Sequence, residues 1–358
     1  MDYLTFDLPV NGSELSSLVK SGEIFENQDF TDFNLTNEDI SGGIFTQTTF
    51  TRCQFSQTNL QQCLFNQCRF IDCSFNDMSC EDVNFIESTF DKCSFEKSIL
   101  ARYNFVNCNL QDGRFIANQI NGGIFQQCNL TAAVFLKNTF DTAVFNECQL
   151  IEVEFDQCSL LKTTLNSCEF GKNRINECQF EMIFITKADL AGIDFSGMQL
   201  SQSQLIECNL SGCHFLNSQL RQSAFSGSNI QKCDFSGADM ELANLYECNL
   251  TGAQFKGSNL KQSSLQKATL MGCDLSAANL EMAQLKEAHI TLSLLSRAKL
   301  IYADLSNSFM SECDFSGADV FMAKMHESFD EKCIWSGANK SSAQGTNEQL
   351  KKAEQWGK

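Results

Sequence analysis

The chain has 358 residues, with 44 acidic side chains against 26 basic ones and a formal net charge of −18. An acidic chain with no basic cluster is a poor direct ligand for nucleic acid, which proteins grip through phosphate-neutralising lysines and arginines. With 43% of positions apolar and 20% charged, bulk disorder is excluded, and a single proline, against the usual ~5%, requires a regular backbone with few independent loops.

Taken from its start, Met1 to Lys20 has no basic n-region and no apolar stretch fit for a signal peptide. No run approaches the ~20 apolar residues that cross a bilayer. The expected compartment is therefore the cytoplasm, with leaderless secretion left open, and no membrane partner is expected. Residues 1–22, which include Pro9, carry no repeat and are expected to cap the repetitive part of the chain, since an open sheet end would expose unpaired edges.

From Phe25 to Met325 every fifth residue is apolar: 61 positions, comprising 26 Phe, 24 Leu, six Ile, three Met, one Val and Cys80, with no insertion or deletion. A helix cannot use this pattern, because a step of five turns the helix by a net ~140° and apolar side chains would spiral around it. A straight strand cannot either, because an odd step sends successive apolar residues to opposite faces. The pattern needs a chain that turns a corner every five residues and points one side chain inward on each side.

A second layer of the pattern agrees. Two residues before each centre the side chain is mostly small, as at Cys53, Ala133, Ser203, Ala238, Ala283 and Ala303, and 18 of the 19 cysteines lie at this offset. Asn or Asp precedes many centres, as at Asn109, Asn129, Asp189, Asn209, Asn249 and Asp274. Segments such as Ala238–Asp239–Met240, Ala243–Asn244–Leu245 and Ala303–Asp304–Leu305 carry the A(D/N)LXX signature, and the chain closely resembles the pentapeptide-repeat family over about 300 residues. That resemblance implies an all-β fold, a right-handed quadrilateral parallel β-helix with 20 residues per coil. It would have about 15 coils, short non-repeat caps and, at ~4.8 Å per coil, a length of roughly 70 Å.

Residues 20 apart then stack. One inward column, from Leu35 and Phe55 through Phe155 and Phe195 to Phe255, reads as an axial aromatic core. Fifteen of the 18 offset cysteines fall in two columns; they alternate with Ala and Ser and are expected to be buried thiol fillers rather than disulfides, because parallel side-chain vectors suit that bond poorly. Asn118 and Asn138 should form a buried amide ladder. Tyr103, Met78, Ile183 and Ile193 are oversized for the small-residue site and are expected to bulge the wall locally. Of the 26 central Phe, 20 occur by residue 180, after which Leu centres take over. Gly-Gly-Ile-Phe at 42–45 and 122–125, and Cys-Asp-Phe-Ser-Gly-Ala-Asp at 233–239 and 313–319, are echoes of duplicated coil blocks. The repeat should run over 23–339. Asp330 breaks it before Cys333–Ile334–Trp335 resume it, and 340–358 should form a C-terminal cap or tail, helical from Asn347, with Trp356 packed on the last coil.

No catalytic, cofactor or metal site is expected. His214, His289 and His326 fall on three different faces, no C-x-x-C occurs, and a loop-free coil offers no concave pocket. Two surface features remain. Met282, Ile301, Tyr302, Phe321 and Met322 project together near the C-terminal end and form a candidate partner or dimer interface. Asp194, Asp234, Asp274 and Asp314 on one face, and Glu247, Glu287 and Glu327 on another, recur every second coil as acidic ladders. Some members of the family mimic duplex DNA and bind DNA gyrase or topoisomerase IV. Here the outward charge is roughly −14 over ~70 Å, against the ~40 charges of duplex DNA over that length. The resemblance and the residues thus leave three readings. The first is a protein-binding or scaffolding solenoid, self-associating or holding a foreign protein through the apolar corner; the second is an acidic DNA mimic acting on a topoisomerase. The third is a bacterial secreted effector or secretion accessory.

Overall fold

The computed structural model describes residues 8–356; the expected cap at 1–22 therefore lies partly outside the described residues. The fold is a parallel β-solenoid of about 15 turns, and the chain falls into two compact units, Met1–Gln179 and Phe180–Lys358.

The first unit opens with helix α1, Gly12–Lys20, whose N-cap Asn11 accepts the Glu14 N–H. Leu15 and Val19 bury against the first coil, and Ser16 donates to the Asp39 carbonyl at 2.7 Å. Gly12 is required here: a Cβ would lie 2.2 Å from the Asn34 carbonyl oxygen. The coils after it are three-residue strands paired in parallel with the strand 20 residues on, as in Ile24–Glu26 with Ile44–Thr46 and Ser94–Glu96 with Arg114–Ile116. Inside, the Phe column stacks face to face, with ring centroids 4.7 Å apart for Phe55–Phe75 and 4.6 Å for Phe75–Phe95. Neighbouring sides meet edge to face, as in Phe50–Phe55 at 5.5 Å and 67°. Each such pair adds about 0.5–1.5 kcal/mol beyond area burial.

The small-residue column has a hydrogen-bonding reason as well as a steric one. The thiols of Cys108, Cys128 and Cys148 reach the carbonyls of Phe85, Phe105 and Phe125, 23 residues earlier, at 3.3, 3.2 and 3.1 Å. Thr58 and Asn118 make the same bond to Leu35 and Phe95 at 2.7 and 2.8 Å. Asn118 also donates to Asn138 Oδ1 at 3.1 Å, so the expected amide ladder is present. All 19 cysteines are free thiols, and only Cys333 is not fully buried.

The expected distortion is absent at Tyr103 but present on one side of the strand that follows Met78. The strand after Tyr103 pairs in unbroken register with Asn84–Ile86 and Ile124–Gln126. The strand after Met78 pairs with Ile99–Ala101, but on its other side the Cys80 thiol replaces the backbone ladder, accepting the Leu60 N–H at 3.2 Å and donating to the Thr58 carbonyl at 3.1 Å. The reason at Tyr103 is compensation. Its phenol lies beside the thiol of Cys80, the one central position without a bulky side chain, so a large residue in the small site is matched by a small residue in the large one.

The second unit is built from the same repeat with tighter corners. Where Asp or Asn precedes the centre, its Oδ1 accepts the N–H two residues on, as in Asp234 with Ser236 at 2.9 Å and Asp274 with Ser276 at 2.9 Å. The centre's carbonyl then accepts the N–H three residues on, as in Ala238 to Phe235 at 3.0 Å. The third corner residue has positive φ, for example Gly237 at 68° and Lys232 at 58°. This is the geometry of a type II turn. The rule carries across both units: Asn34, Asn59, Asn109 and Asn129 also precede tight corners, while Asp29, Asn84 and Asn104 are exceptions that stay in strands.

At the C-terminal end, Asp330 does not break the backbone register. It pairs opposite Met310, accepts the Trp335 indole N–H at 3.0 Å and is ion-paired with Lys340. Trp335 continues the inward column, stacked on Phe315 at 4.2 Å. The tail forms helix α2, Glu348–Gln355, N-capped by Asn347. Trp356 does not pack on the last coil; it is 94% exposed.

Candidate protein-interaction surface

Met282, Tyr302 and Met322 occupy the same corner of three successive coils, each at the left-handed position with φ of 58°, 56° and 56°. That conformation throws the side chain outward, while the backbone stays tied to the next coil through Met282 N–H to Ile301 O at 2.9 Å and Tyr302 N–H to Phe321 O at 3.0 Å. Tyr302 and Phe321 meet edge to face, with centroids 5.9 Å apart at 80°. They are 47% and 48% exposed, and Ile301 and Met322 beside them are half-buried. The tail reaches the edge of this corner, where Gln344 Nε2 lies 3.7 Å from Met322 Sδ, but leaves Tyr302 and Phe321 exposed.

Helix α2 sits on a different corner. His326, buried although it points outward, accepts the Asn347 N–H at Nδ1 (3.1 Å) and pairs through Nε2 with Glu354 (3.1 Å). Because Nδ1 accepts, the neutral ring carries its proton on Nε2 and donates it to Glu354. Lys351 adds an ion pair to Glu327 at 2.9 Å. Between α2 and the coils lies a cleft of about 330 Å³ lined by Lys286, Lys324, His326, Leu350 and Glu354, among others. The expectation of no concave pocket thus needs correction, because the tail, rather than any coil loop, creates one.

The acidic ladders are in place as columns, but their charges are engaged. Asp194, Asp234, Asp274 and Asp314 each cap the N–H two residues on at 2.8–2.9 Å. Their column alternates with His214, Gln254, Leu294 and Ile334 rather than presenting an unbroken acidic stripe. Glu247, Glu287 and Glu327 each lie within ion-pair distance of a lysine: Lys267 at 3.4 Å, Lys286 at 3.9 Å and Lys351 at 2.9 Å. No group of three or more metal-ligating side chains occurs among the described residues, and no described helix is long and apolar enough to cross a membrane.

Sequence reading overlooked a second apolar surface. Phe309 and Phe329 point outward and stack at 5.2 Å. Phe329, Ile334 and Leu294 are all exposed. The 20-residue spacing of 309 and 329 would have revealed it.

Coil and surface together define a quadrilateral repeat solenoid whose distinctive side chains face outward. Two family models match the sequence: Pentapeptide repeat region at residues 173–255, and Pentapeptide repeats (8 copies) at 29–67, 48–79, 63–102, 253–291 and 293–328. Together they cover more than half of the chain, and the chain belongs to the pentapeptide-repeat family. No curated protein matches the sequence. Among solved structures it is similar to HetL, a pentapeptide-repeat protein involved in heterocyst differentiation regulation from the cyanobacterium Nostoc sp. strain PCC 7120. The identity is 17%, covering 78% of this chain and 94% of that one, with a TM-score of 0.23. Rfr23 from the cyanobacterium Cyanothece 51142 is 24% identical over 28% of this chain and 85% of its own, with a TM-score of 0.25. Full-length QnrB1, a plasmid-mediated fluoroquinolone resistance protein, is 15% identical over 64% of this chain and 92% of its own, with a TM-score of 0.23. At these TM-scores the structures add nothing to what the family models establish.

Proposed function

We propose that the protein is a non-enzymatic binding or scaffolding solenoid that recognises another protein, a second copy or a foreign one, through the corner formed by Met282, Ile301, Tyr302, Phe321 and Met322. The observation that carries this reading is the contiguous, half-exposed Tyr302–Phe321 pair, left uncovered by the described tail. Aromatic side chains on a fixed backbone lose little entropy on binding and supply much of the energy at interfaces.

A net charge of −18 favours a second reading, an acidic DNA mimic that inhibits a topoisomerase. The interruption of the Asp column by His214, Gln254, Leu294 and Ile334, and the lysines beside the Glu column, weigh against it. One affinity capture from bacterial lysate separates the two. It compares the native chain with a variant carrying Ile301→Ser, Tyr302→Ser, Phe321→Ser and Met322→Ser, at low and high salt. A partner lost from the variant and retained at high salt is expected. A topoisomerase captured equally by both chains and released by salt would overturn the ranking.

A further inference from the structure

The last coil of the second unit is closed on only part of its circumference. The rule of pairing is regular: a centre's N–H and the N–H two residues later donate to the next coil, as in Phe315 to Ile334 O and Gly317 to Ser336 O, both 2.8 Å, and Glu312 to Glu331 O at 2.9 Å. The residue before each centre donates backward, as in Ile334 to Cys313 O at 2.8 Å and Phe329 to Ser308 O at 2.9 Å. After Val320 and Met325 the chain's own tail supplies the partners. Ser342 O accepts from Met322 at 2.9 Å, Gln344 O accepts from Met325 at 2.8 Å, and Gln344 N–H returns to Ala323 O at 2.8 Å. Val320 and Met325 are accordingly buried.

The sides centred on Asp330 and Trp335 have no such backbone cover. Among the described residues only the Lys340 side chain lies over them, 4.7 Å above the Trp335 ring and paired with Asp330, and an incoming strand would displace it. Among the described residues, the N–H groups of Lys332, Trp335 and Gly337 find no acceptor, and the carbonyls of Ser328 and Cys333 find no donor. Asp330 and Trp335, unlike nearly every other centre, are partly exposed. The outer flank of the same ledge is apolar, with Phe329 51% and Ile334 55% exposed.

We infer that this ledge is a strand-addition site. Its occupant is an extended segment of a partner protein, about ten residues long, running parallel to 329–338 with apolar side chains five apart. Three features select that occupant. The free donors and acceptors follow the parallel spacing of the coil itself. The ledge spans two sides, so it seats a segment rather than a whole coil of a second copy. The chain's own 342–346 stretch is an example of the same addition next door. The site is separate from the corner at Ile301–Met322 and stands whether or not that corner binds anything.

The test uses the full-length protein and one probe: a fluorescein-labelled peptide with the sequence of residues 309–318 and Cys313→Ser, the segment that would come next if the repeat stepped back one coil. Binding is read by anisotropy and by amide hydrogen exchange. The expected result is binding that slows exchange at Lys332, Trp335 and Gly337. It should weaken by roughly tenfold or more when the peptide is N-methylated at the amides equivalent to Phe309 and Asp314, which removes two hydrogen bonds. The exposed substitutions Phe329→Lys and Ile334→Lys should weaken it similarly, whereas Tyr302→Ser should not. Equal binding of the N-methylated peptide, protection elsewhere, or no binding at millimolar peptide would overturn the inference. So would concentration-dependent protection of the same amides in the chain alone, which would assign the ledge to a second copy.

Discussion

At the scale of single residues, the wall is a set of local exchanges rather than a uniform lattice. Tyr103 shows it best. Its ring is tolerated because Cys80 leaves room, yet among the described residues its buried hydroxyl has no nitrogen or oxygen partner and only the weakly bonding Cys80 thiol beside it. A buried hydroxyl without a partner costs about 1–3 kcal/mol in desolvation. Tyr103→Phe should therefore raise the stability of the protein by roughly 1 kcal/mol or more, measured by urea denaturation monitored in the first unit. A loss of stability would show that the phenol has a partner in solution. The thiols make the complementary point: burial pushes those of Cys63 and Cys273 up to about 12, so they serve as protonated fillers and donors rather than as nucleophiles.

At the scale of the five-residue element, the residue before the centre biases the corner. Asp194 is an instance with a pH signature. Its carboxyl is held below the usual carboxylate range, chiefly by the hydrogen bonds from Ser196, with a smaller contribution from His214. A group with a depressed folded pKa contributes stability that is present above its unfolded value, about 3.9 for Asp, and that disappears as pH falls through the lower folded value. Thermal stability should therefore decline below about pH 4, and the decline should be shallower in Asp194→Asn, whose amide oxygen still caps Ser196. An identical acid profile in the two chains would show that this carboxylate contributes nothing to the acid transition. Much of this element was legible in the sequence, because the centre, the small site and the Asx position each follow a fixed offset. The exceptions at Asp29, Asn84 and Asn104 were not legible, since there the choice between strand and corner rests with the neighbouring coil.

At the scale of the whole molecule, an unbroken sequence register made the stacking readable: within each unit a residue is placed over the one 20 earlier. The Glu247–Lys267 pair and the Phe309–Phe329 stack obey that rule directly. The drop in Phe content near residue 180 falls at the boundary between the two compact units. What the repeat could not convey is how it stops. The docking of α2 on His326, the free Trp356 and the uncovered ledge at 329–338 depend on non-repeating residues that obey no offset. The proposed function rests on the corner at Ile301–Met322 rather than on the acidic ladders. The most direct test places the photocrosslinking residue benzoylphenylalanine at Tyr302 in one chain and at Glu247 in another, both expressed in bacterial cells. A discrete protein adduct is expected from position 302 and none from 247. An adduct from 247 alone, with a topoisomerase in it, would contradict the proposed function and make the acidic face the working surface.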